Sequence, residues 1–286
     1  MDVMPDFSLF ERAFMSEVDH LRTLLAKEKV DRLQAMTMEI RDRGVAAKSK
    51  VVIGRTSVEI IRQVMRGKHD VVMRHAKGRL SRRLDFFGTT SLELIRKCPC
   101  PVWIFGPDEI KISRVLAAVD VTPDDERHRE LNHRILDLAE SLSKFENGTL
   151  DIVHAWGVYR EQLVRPRMTA DEFNVIEHTA HDEAKRGANL RLAAHGLKAD
   201  SPNVHLLHGS PDDVIPYFVS ESQTDVIVMG SVGRRGLPGM LVGNTAELLL
   251  DKLRCSILVV KPDDFVSPIK ARVQRTTTRV PPVPIP

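Results

Sequence analysis

Asp225-Val-Ile-Val-Met-Gly-Ser-Val-Gly233, followed by Gly243-Asn-Thr-Ala-Glu-Leu-Leu-Leu-Asp-Lys-Leu253, decides how this chain is read. The first stretch opens on a short apolar run, the pattern of a strand buried on both faces. The second reads as a helix over Thr245–Leu253. Between them the glycines 230, 233 and 243 are spaced G-x2-G-x9-G. Three glycines at a set spacing arise by chance in roughly one such chain in ten, so the spacing alone says little. Their placement says more, because the motif starts at a strand end and finishes at a helix start. Glycine at 230 and 233 lets the backbone take positive φ and approach a ligand with no Cβ in the way. Gly243-Asn244-Thr245 sits at a helix N-terminus, where unpaired N–H groups attract an anion. Asn244 can cap the helix or bond a phosphate. The plain alternative is a turn followed by an ordinary N-cap.

Upstream, the pattern alternates. Val115–Val119 reads as a strand, and Pro123 with the acids Asp124, Asp125 and Glu126 opens a helix to about Lys144. Acids suit the positive end of a helix dipole. Leu150–Trp156 is a second strand, and Ala170–His195 a helix stopped by Gly196. Val204–Leu207 is a third strand. Ser210 is the expected N-cap of the next helix, with Pro211 at its first position. Asp225–Met229 and Ser256–Val260 complete five strands. Strands alternating with helices predict an α/β fold with a doubly wound, five-stranded parallel sheet. Ligands in such sheets bind beyond the carboxyl ends of the strands, where the strand order reverses. Asp120 and Gly230 stand at the tips of the first and fourth strands.

The chain also repeats itself. A shift of 155 residues takes Gly54 to Gly209, Asp70-Val-Val to Asp225-Val-Ile, and Gly78 to Gly233. It also takes Gly88 to Gly243, Thr90 to Thr245, Cys100 to Cys255, and Pro107-Asp108 to Pro262-Asp263. A constant offset over so many special residues means two copies of one domain. The reading divides the chain into an incomplete copy over 1–108, a complete one over 111–265 and a tail over 266–286. Under the same shift Met1 falls level with Trp156, so the first copy is expected to lack a strand, a helix and a strand. That would leave its third strand, Lys50–Ile53, without a neighbour. The tail ends Val280-Pro-Pro-Val-Pro-Ile-Pro286 and is expected to be disordered, since Pro lacks the N–H that helices and central strands use.

Composition bounds the function. The 286 residues carry a net charge of +3 with the signs well mixed, and aromatics are 5%. Both argue against a nucleic-acid partner. No stretch approaches the roughly 18 apolar residues of a membrane span, and the first dozen residues do not read as a signal peptide, so a cytoplasmic protein is expected. Three cysteines, an odd and low count, suit a reducing compartment. Cys98-Pro99-Cys100 is spaced too closely for an easy disulfide, and its cysteines read as buried small hydrophobes. No metal cluster is evident.

The glycine motif, its strand-tip placement and the repeat together resemble the universal stress protein family, in its tandem form. The resemblance covers nearly the whole chain, and it implies the family's adenine nucleotide α-hydrolase-like fold. Gly230, Gly233 and Gly243 match the family signature, while Asn244 departs from it and puts Thr245 one place late. The resemblance implies ATP, with Mg2+ as the companion of its phosphates. It places Asp120, Val121 and Thr122 near the ribose, Ala155 beside adenine through its backbone, and Met229 and Arg234 around the loop. His154 reads as a satisfied strand residue. In the first copy His75 replaces the first glycine, so no conventional ATP site is expected there. Arg74, Lys77, Arg79, Arg82 and Arg83 form a basic face, with Leu84, Phe86 and Phe87 giving an alternative lipid-like ligand surface. The implied function is a nucleotide-binding stress-response regulator working through a protein partner. Alternatives are a slow ATPase, for which no general base is evident, and a scaffold that binds no nucleotide. The resemblance also implies pairing through the last strands, Pro101–Phe105 and Ser256–Val260, in a homodimer or within one chain as a pseudo-dimer.

Overall fold

A computed structural model describes residues 1–4, 15–76, 88–106, 111–121, 126–231 and 244–271. The chain forms two compact units, Met1–Lys68 together with the chain from Ser267, and His69–Val266. The Pro-rich end of the tail, 272–286, lies outside the described residues.

The first unit contains β1 (Asp2–Met4), α1 (Met15–Asp42), β2 (Val51–Ile53) and α2 (Thr56–Gly67). β1 pairs with β2 in parallel, Asp2 opposite Val51 and Met4 opposite Ile53. This corrects the expectation that the third strand of the first copy has lost its neighbour. In the second copy the position equivalent to Val51 is Leu206, which pairs with His154. Asp2–Met4 therefore take the place of His154–Trp156, three residues out of step with the constant offset. An ion pair from Lys29 Nζ to Asp2 Oδ2, 2.6 Å long, ties α1 to β1. α2 buries Ile61 and Val64, and Lys68 ends it in the left-handed region at φ 48°.

The second unit contains β3 (Val72–His75), α3 (Gly88–Lys97), β4 (Val102–Phe105), β5 (Arg114–Ala118), α4 (Glu126–Phe145), β6 (Thr149–Trp156), α5 (Glu161–Val164), α6 (Ala170–Leu192), β7 (Val204–His208), α7 (Pro211–Glu221), β8 (Val226–Gly230), α8 (Asn244–Lys252) and β9 (Ser256–Val260). The repeat survives at the level of elements. The 155-residue shift takes the start of α1 to that of α6, α2 onto α7, and α3 onto α8 to within a residue.

One seven-stranded sheet runs β3-β4-β9-β8-β5-β6-β7, and β4–β9 is its one antiparallel pair. The second copy alone supplies the expected doubly wound parallel sheet, β9-β8-β5-β6-β7. Its order reverses at β5, which pairs with β6 on one side and β8 on the other. Crossovers β5→β6 and β7→β8 travel in opposite directions, and right-handedness then puts α4 and α7 on opposite faces. Val115, Ala117, Ile152, Val226, Val228 and Leu258 form one core with Leu131, Ile135 and Ala139 of α4 and Ala188 and Leu192 of α6. The alternate residues Leu116, Val153, Ile227 and Ile257 are equally buried and point the other way.

The last strands of the two copies meet in antiparallel register, Val102 opposite Val259 and Ile104 opposite Ile257. This is why the compact unit does not stop at the repeat boundary: β3 and β4 belong to the sheet of the second copy. Three helix ends follow sequence logic. Thr169 forms a capping box with Glu172, Gly196 closes the α6 segment at φ 70°, and Pro211 opens α7. Ser210 has N-cap backbone geometry, but its hydroxyl bonds the Asp212 carboxylate rather than a backbone N–H.

Candidate functional site

The carboxyl ends of β5, β8 and β6 lie side by side, and the register fixes how. Ala118 pairs with Met229 on one side and Val153 on the other, so Asp120, Gly230 and Ala155 all project past the same edge. Val121, Ala155 and Met229 are buried, whereas the Asp120 side chain keeps 32% of its exposure. Thr122, Gly233, Arg234 and Gly243 lie outside the described residues. Asn244 and Thr245 are the first two residues of α8, so the helix starts where the motif requires.

The β5 tip is held by two residues. Asn132 of α4 donates to the Asp120 carbonyl at 2.7 Å and accepts from the Asp120 N–H at 3.2 Å. Both backbone groups of Asp120 are thus satisfied, and its carboxylate Oδ1 lies 3.9 Å from His154 Nδ1 with about a third of the side chain exposed. His154 is buried, with Nδ1 3.1 Å from the Val119 carbonyl and 3.4 Å from the Val121 nitrogen. Protonated there, Nδ1 donates to Val119; unprotonated, it accepts from Val121. In either form it braces the turn, in keeping with a structural strand residue.

Gly230 corrects the sequence reading in one respect. It is not among the residues with positive φ. A Cβ there would stand 2.8 Å from Leu131 Cδ2 and 3.5 Å from Ile135 Cδ1. The missing side chain leaves room for the Leu131 side chain of α4 against the end of β8, so the glycine also serves a protein contact. The next residue, Ser231, donates its N–H to the Val260 carbonyl at 3.0 Å. Its side-chain oxygen is fully buried and has no hydrogen-bond partner among the described residues. A buried hydroxyl without a partner costs on the order of 1–3 kcal/mol, so a polar group meeting it would recover that energy.

Other residues shape the site without having stood out in the sequence. Gly187, within α6, faces the Val121 carbonyl, and a Cβ at 187 would come 2.6 Å from that oxygen. Beyond Ala155, Trp156 stacks on His208 at 4.5 Å and meets His181 edge-on at 5.0 Å. His208 in turn contacts Glu161 at 3.1 Å and Glu177 at 3.4 Å, tying α5 and α6 to the strand ends. Asn132 had a visible signal, a polar residue within the apolar stripe of α4 formed by Leu131, Ile135, Leu136 and Ala139. The others depend on packing between segments distant in sequence.

At the equivalent tip of the first copy, β3 ends in His75, whose Nδ1 lies 3.4 Å from the Gly106 carbonyl. Ala76 N–H bonds the Phe105 carbonyl at 2.8 Å, repeating the Ser231–Val260 bond of the second copy. Burial lowers the pKa of Arg74, the counterpart of Met229. The rest of the proposed basic and apolar surface, Lys77–Phe87, lies outside the described residues. Among the described residues no group of three His, Cys, Asp or Glu side chains could hold a metal ion, and no helix is long and apolar enough to cross a membrane.

Comparison with known proteins agrees with this geometry. The sequence pattern of the universal stress protein family matches residues 3–106 and again 111–261. Universal stress protein E of Salmonella typhi is 34% identical over 237 residues, covering 79% of this chain and 72% of the relative. Universal stress protein E of Escherichia coli K12 is 32% identical over 237 residues, with the same coverage of both chains. Among solved structures, a functionally unknown protein from Pseudomonas aeruginosa PAO1 superposes with a TM-score of 0.68 at 25% identity, over 82% of this chain and 78% of the other. A universal stress protein from Archaeoglobus fulgidus gives 0.58 at 18% identity, over 91% and 97%, a likeness of fold alone. With two successive family matches and one repeat register running through both, the chain belongs to the universal stress protein family as a tandem member.

Proposed function

We propose that the second copy binds an adenine nucleotide, ATP with Mg2+, and that the protein acts in the cytoplasm as a stress-response regulator whose output is contact with a protein partner. The observation that carries this reading is the reversal of strand order between β5 and β8. It brings Asp120 and Ser231, each two residues past the Ala118–Met229 pair, to the same sheet edge, where the Asp120 side chain is about a third exposed and the Ser231 hydroxyl is buried without a hydrogen-bond partner among the described residues. The site fits the group: Asp120 accepts from ribose hydroxyls, Ser231 donates to phosphate, and the N-terminus of α8 faces negative charge. Ala155 and the Val121 backbone border the place for the base. Mg2+ arrives with the phosphates rather than on a protein metal cluster. The edges of β4 and β9 are already used within the chain, which favours an intramolecular pseudo-dimer over a homodimer through those strands.

Calorimetric titration of the full chain with ATP, with and without Mg2+, tests the reading. Wild type is expected to bind in the micromolar to sub-millimolar range, and Asp120→Ala to bind about tenfold more weakly, a loss of about 1.4 kcal/mol. If wild-type protein takes up no adenine nucleotide at millimolar concentration, the scaffold reading replaces this one.

A further inference from the structure

The thiols of Cys98 and Cys100 lie 3.6 Å apart, sulfur to sulfur, in the turn between α3 and β4. Both are reduced and buried. The repeat provides an internal control for what that turn needs. The 155-residue shift takes Cys100 to Cys255 but Cys98 to Leu253, which is also buried. In the second copy, then, apolar volume satisfies the position. The first copy instead puts a second thiol within contact of the first, which packing alone does not require.

The pair is neither sealed off nor chemically neutral. Cys100 forms part of the wall of an open groove of about 470 Å3, with His69, Asp70, Pro99, Arg134 and Leu138. Hydrogen bonding from Cys100 holds the Cys98 thiol below its ordinary value, with help from the Lys261 charge, and the same contact with burial pushes Cys100 up. Together the two sulfurs give up one proton and keep the second. Lys261 is itself buried, with its Nζ 3.4 Å from the Arg96 carbonyl at the end of α3 and 4.4 Å from the Phe265 ring.

We propose that Cys98 and Cys100 form a peroxide-reactive dithiol that closes into a reversible disulfide within this turn. The resting thiolate is on Cys98, the thiol that is held low; transfer of the remaining proton from Cys100 to Cys98 across the 3.6 Å contact moves the thiolate to Cys100 at the groove wall. That thiolate attacks hydrogen peroxide. The S–O bond forms, the O–O bond breaks, and the departing hydroxide takes up a proton as water. The Cys98 sulfur then attacks the Cys100 sulfenic acid. The S–S bond forms, the S–O bond breaks, and the hydroxyl leaves with the Cys98 proton as a second water. Two thiols are oxidised by two electrons and one peroxide is reduced. Closure brings the sulfurs from 3.6 Å to about 2.05 Å, a short movement for a turn. A ring of three residues constrains little of the unfolded chain and is strained, so the bond is readily reduced and acts as a switch rather than a staple.

Intact mass spectrometry of the full-length protein tests this. After hydrogen peroxide at tens to hundreds of micromolar, wild type and Cys255→Ser should both lose 2 Da, and maleimide labelling after denaturation should fall by two thiols. Dithiothreitol should restore both readings. Cys98→Ser and Cys100→Ser should lose no 2 Da, and should gain 16 Da on the remaining thiol. The proposal is overturned if wild-type Cys98 and Cys100 both stay labelled after peroxide. It is equally overturned if the 2 Da loss persists in Cys98→Ser or disappears in Cys255→Ser. Wild type alone gives the first of these answers, so a variant that folds poorly does not rescue the idea.

Discussion

β8 and β3 are the same strand in two copies of one domain, yet they have different surroundings. β8 runs between β5 and β9, while β3 has β4 on one side and, among the described residues, no strand on the other. The effect is visible residue by residue. Val228 is fully buried, whereas its counterpart Met73 is 58% exposed. The Asp225 carboxylate accepts the N–H groups of Ser113 and Arg114 at 2.7 and 2.8 Å, at the foot of β5. Its counterpart Asp70 instead lines the groove beside Cys100. A strand tip becomes a candidate ligand site here only where the first strand lies alongside it. The glycine motif marks the place, and the pairing of β5 with β8 makes the geometry.

The largest contrast between the copies is electrostatic. Lys261 directly follows β9, and the equivalent residue after β4 is Gly106. Burial lowers the Lys261 pKa to about 7, from an ordinary 10.5. Between those values the unfolded chain holds a proton that the folded chain refuses. Stability therefore rises with pH across that window, by on the order of 1 kcal/mol per unit at most. Lys261→Met should flatten this slope in urea melts run from about pH 7.5 to 9.5. Parallel slopes for variant and wild type would mean that Lys261 is charged and solvated in the folded protein.

Packing gives the next contrast. Val228→Ala removes apolar volume from a strand covered on both sides and should cost about 1.5–3 kcal/mol. Met73→Ala, at the same place in the repeat, should change stability by no more than about 0.5 kcal/mol. Chemical denaturation of both variants measures the difference. Equal costs would show that β3 is covered as β8 is, and would end the comparison on which the site assignment leans.

Much of this fold is legible in the sequence, for definable reasons. The five strands of the second copy are short apolar runs bounded by turn residues, and all five fall within one residue of their expected limits. A doubly wound sheet puts its ligand site at the strand tips beside the order reversal, so Asp120 and Gly230 stand out as tip residues, while their adjacency comes from the pairing of β5 with β8. What stayed hidden arises from contacts across the chain. The motif makes Gly230 a loop glycine, but the side chain packed against it is Leu131 of α4. β1 is only three residues long and breaks the repeat register, so periodicity could not disclose it. The spacing of Cys98 and Cys100 argues against a bond, whereas the turn brings their sulfurs together.

Gly187 offers the finest test, because its effects on stability and on the site should separate. It lies within α6, and its counterpart Arg32 lies exposed on α1. Replacing a mid-helix glycine with alanine contributes about 0.5–1 kcal/mol of backbone stabilisation. At 187 the added Cβ would meet the Val121 carbonyl at 2.6 Å, so the turn after β5 or the helix must shift. The two effects oppose, and Gly187→Ala should change stability by less than about 1 kcal/mol in either direction. Its mark should be on the site: Val121 follows Asp120, and moving its carbonyl should weaken ATP binding several-fold in the titration used for Asp120→Ala. Arg32→Ala should leave that affinity unchanged. If Gly187→Ala binds nucleotide as wild type does, the Val121 carbonyl takes no part in holding the ligand, and Asp120 alone would have to account for selectivity at that edge.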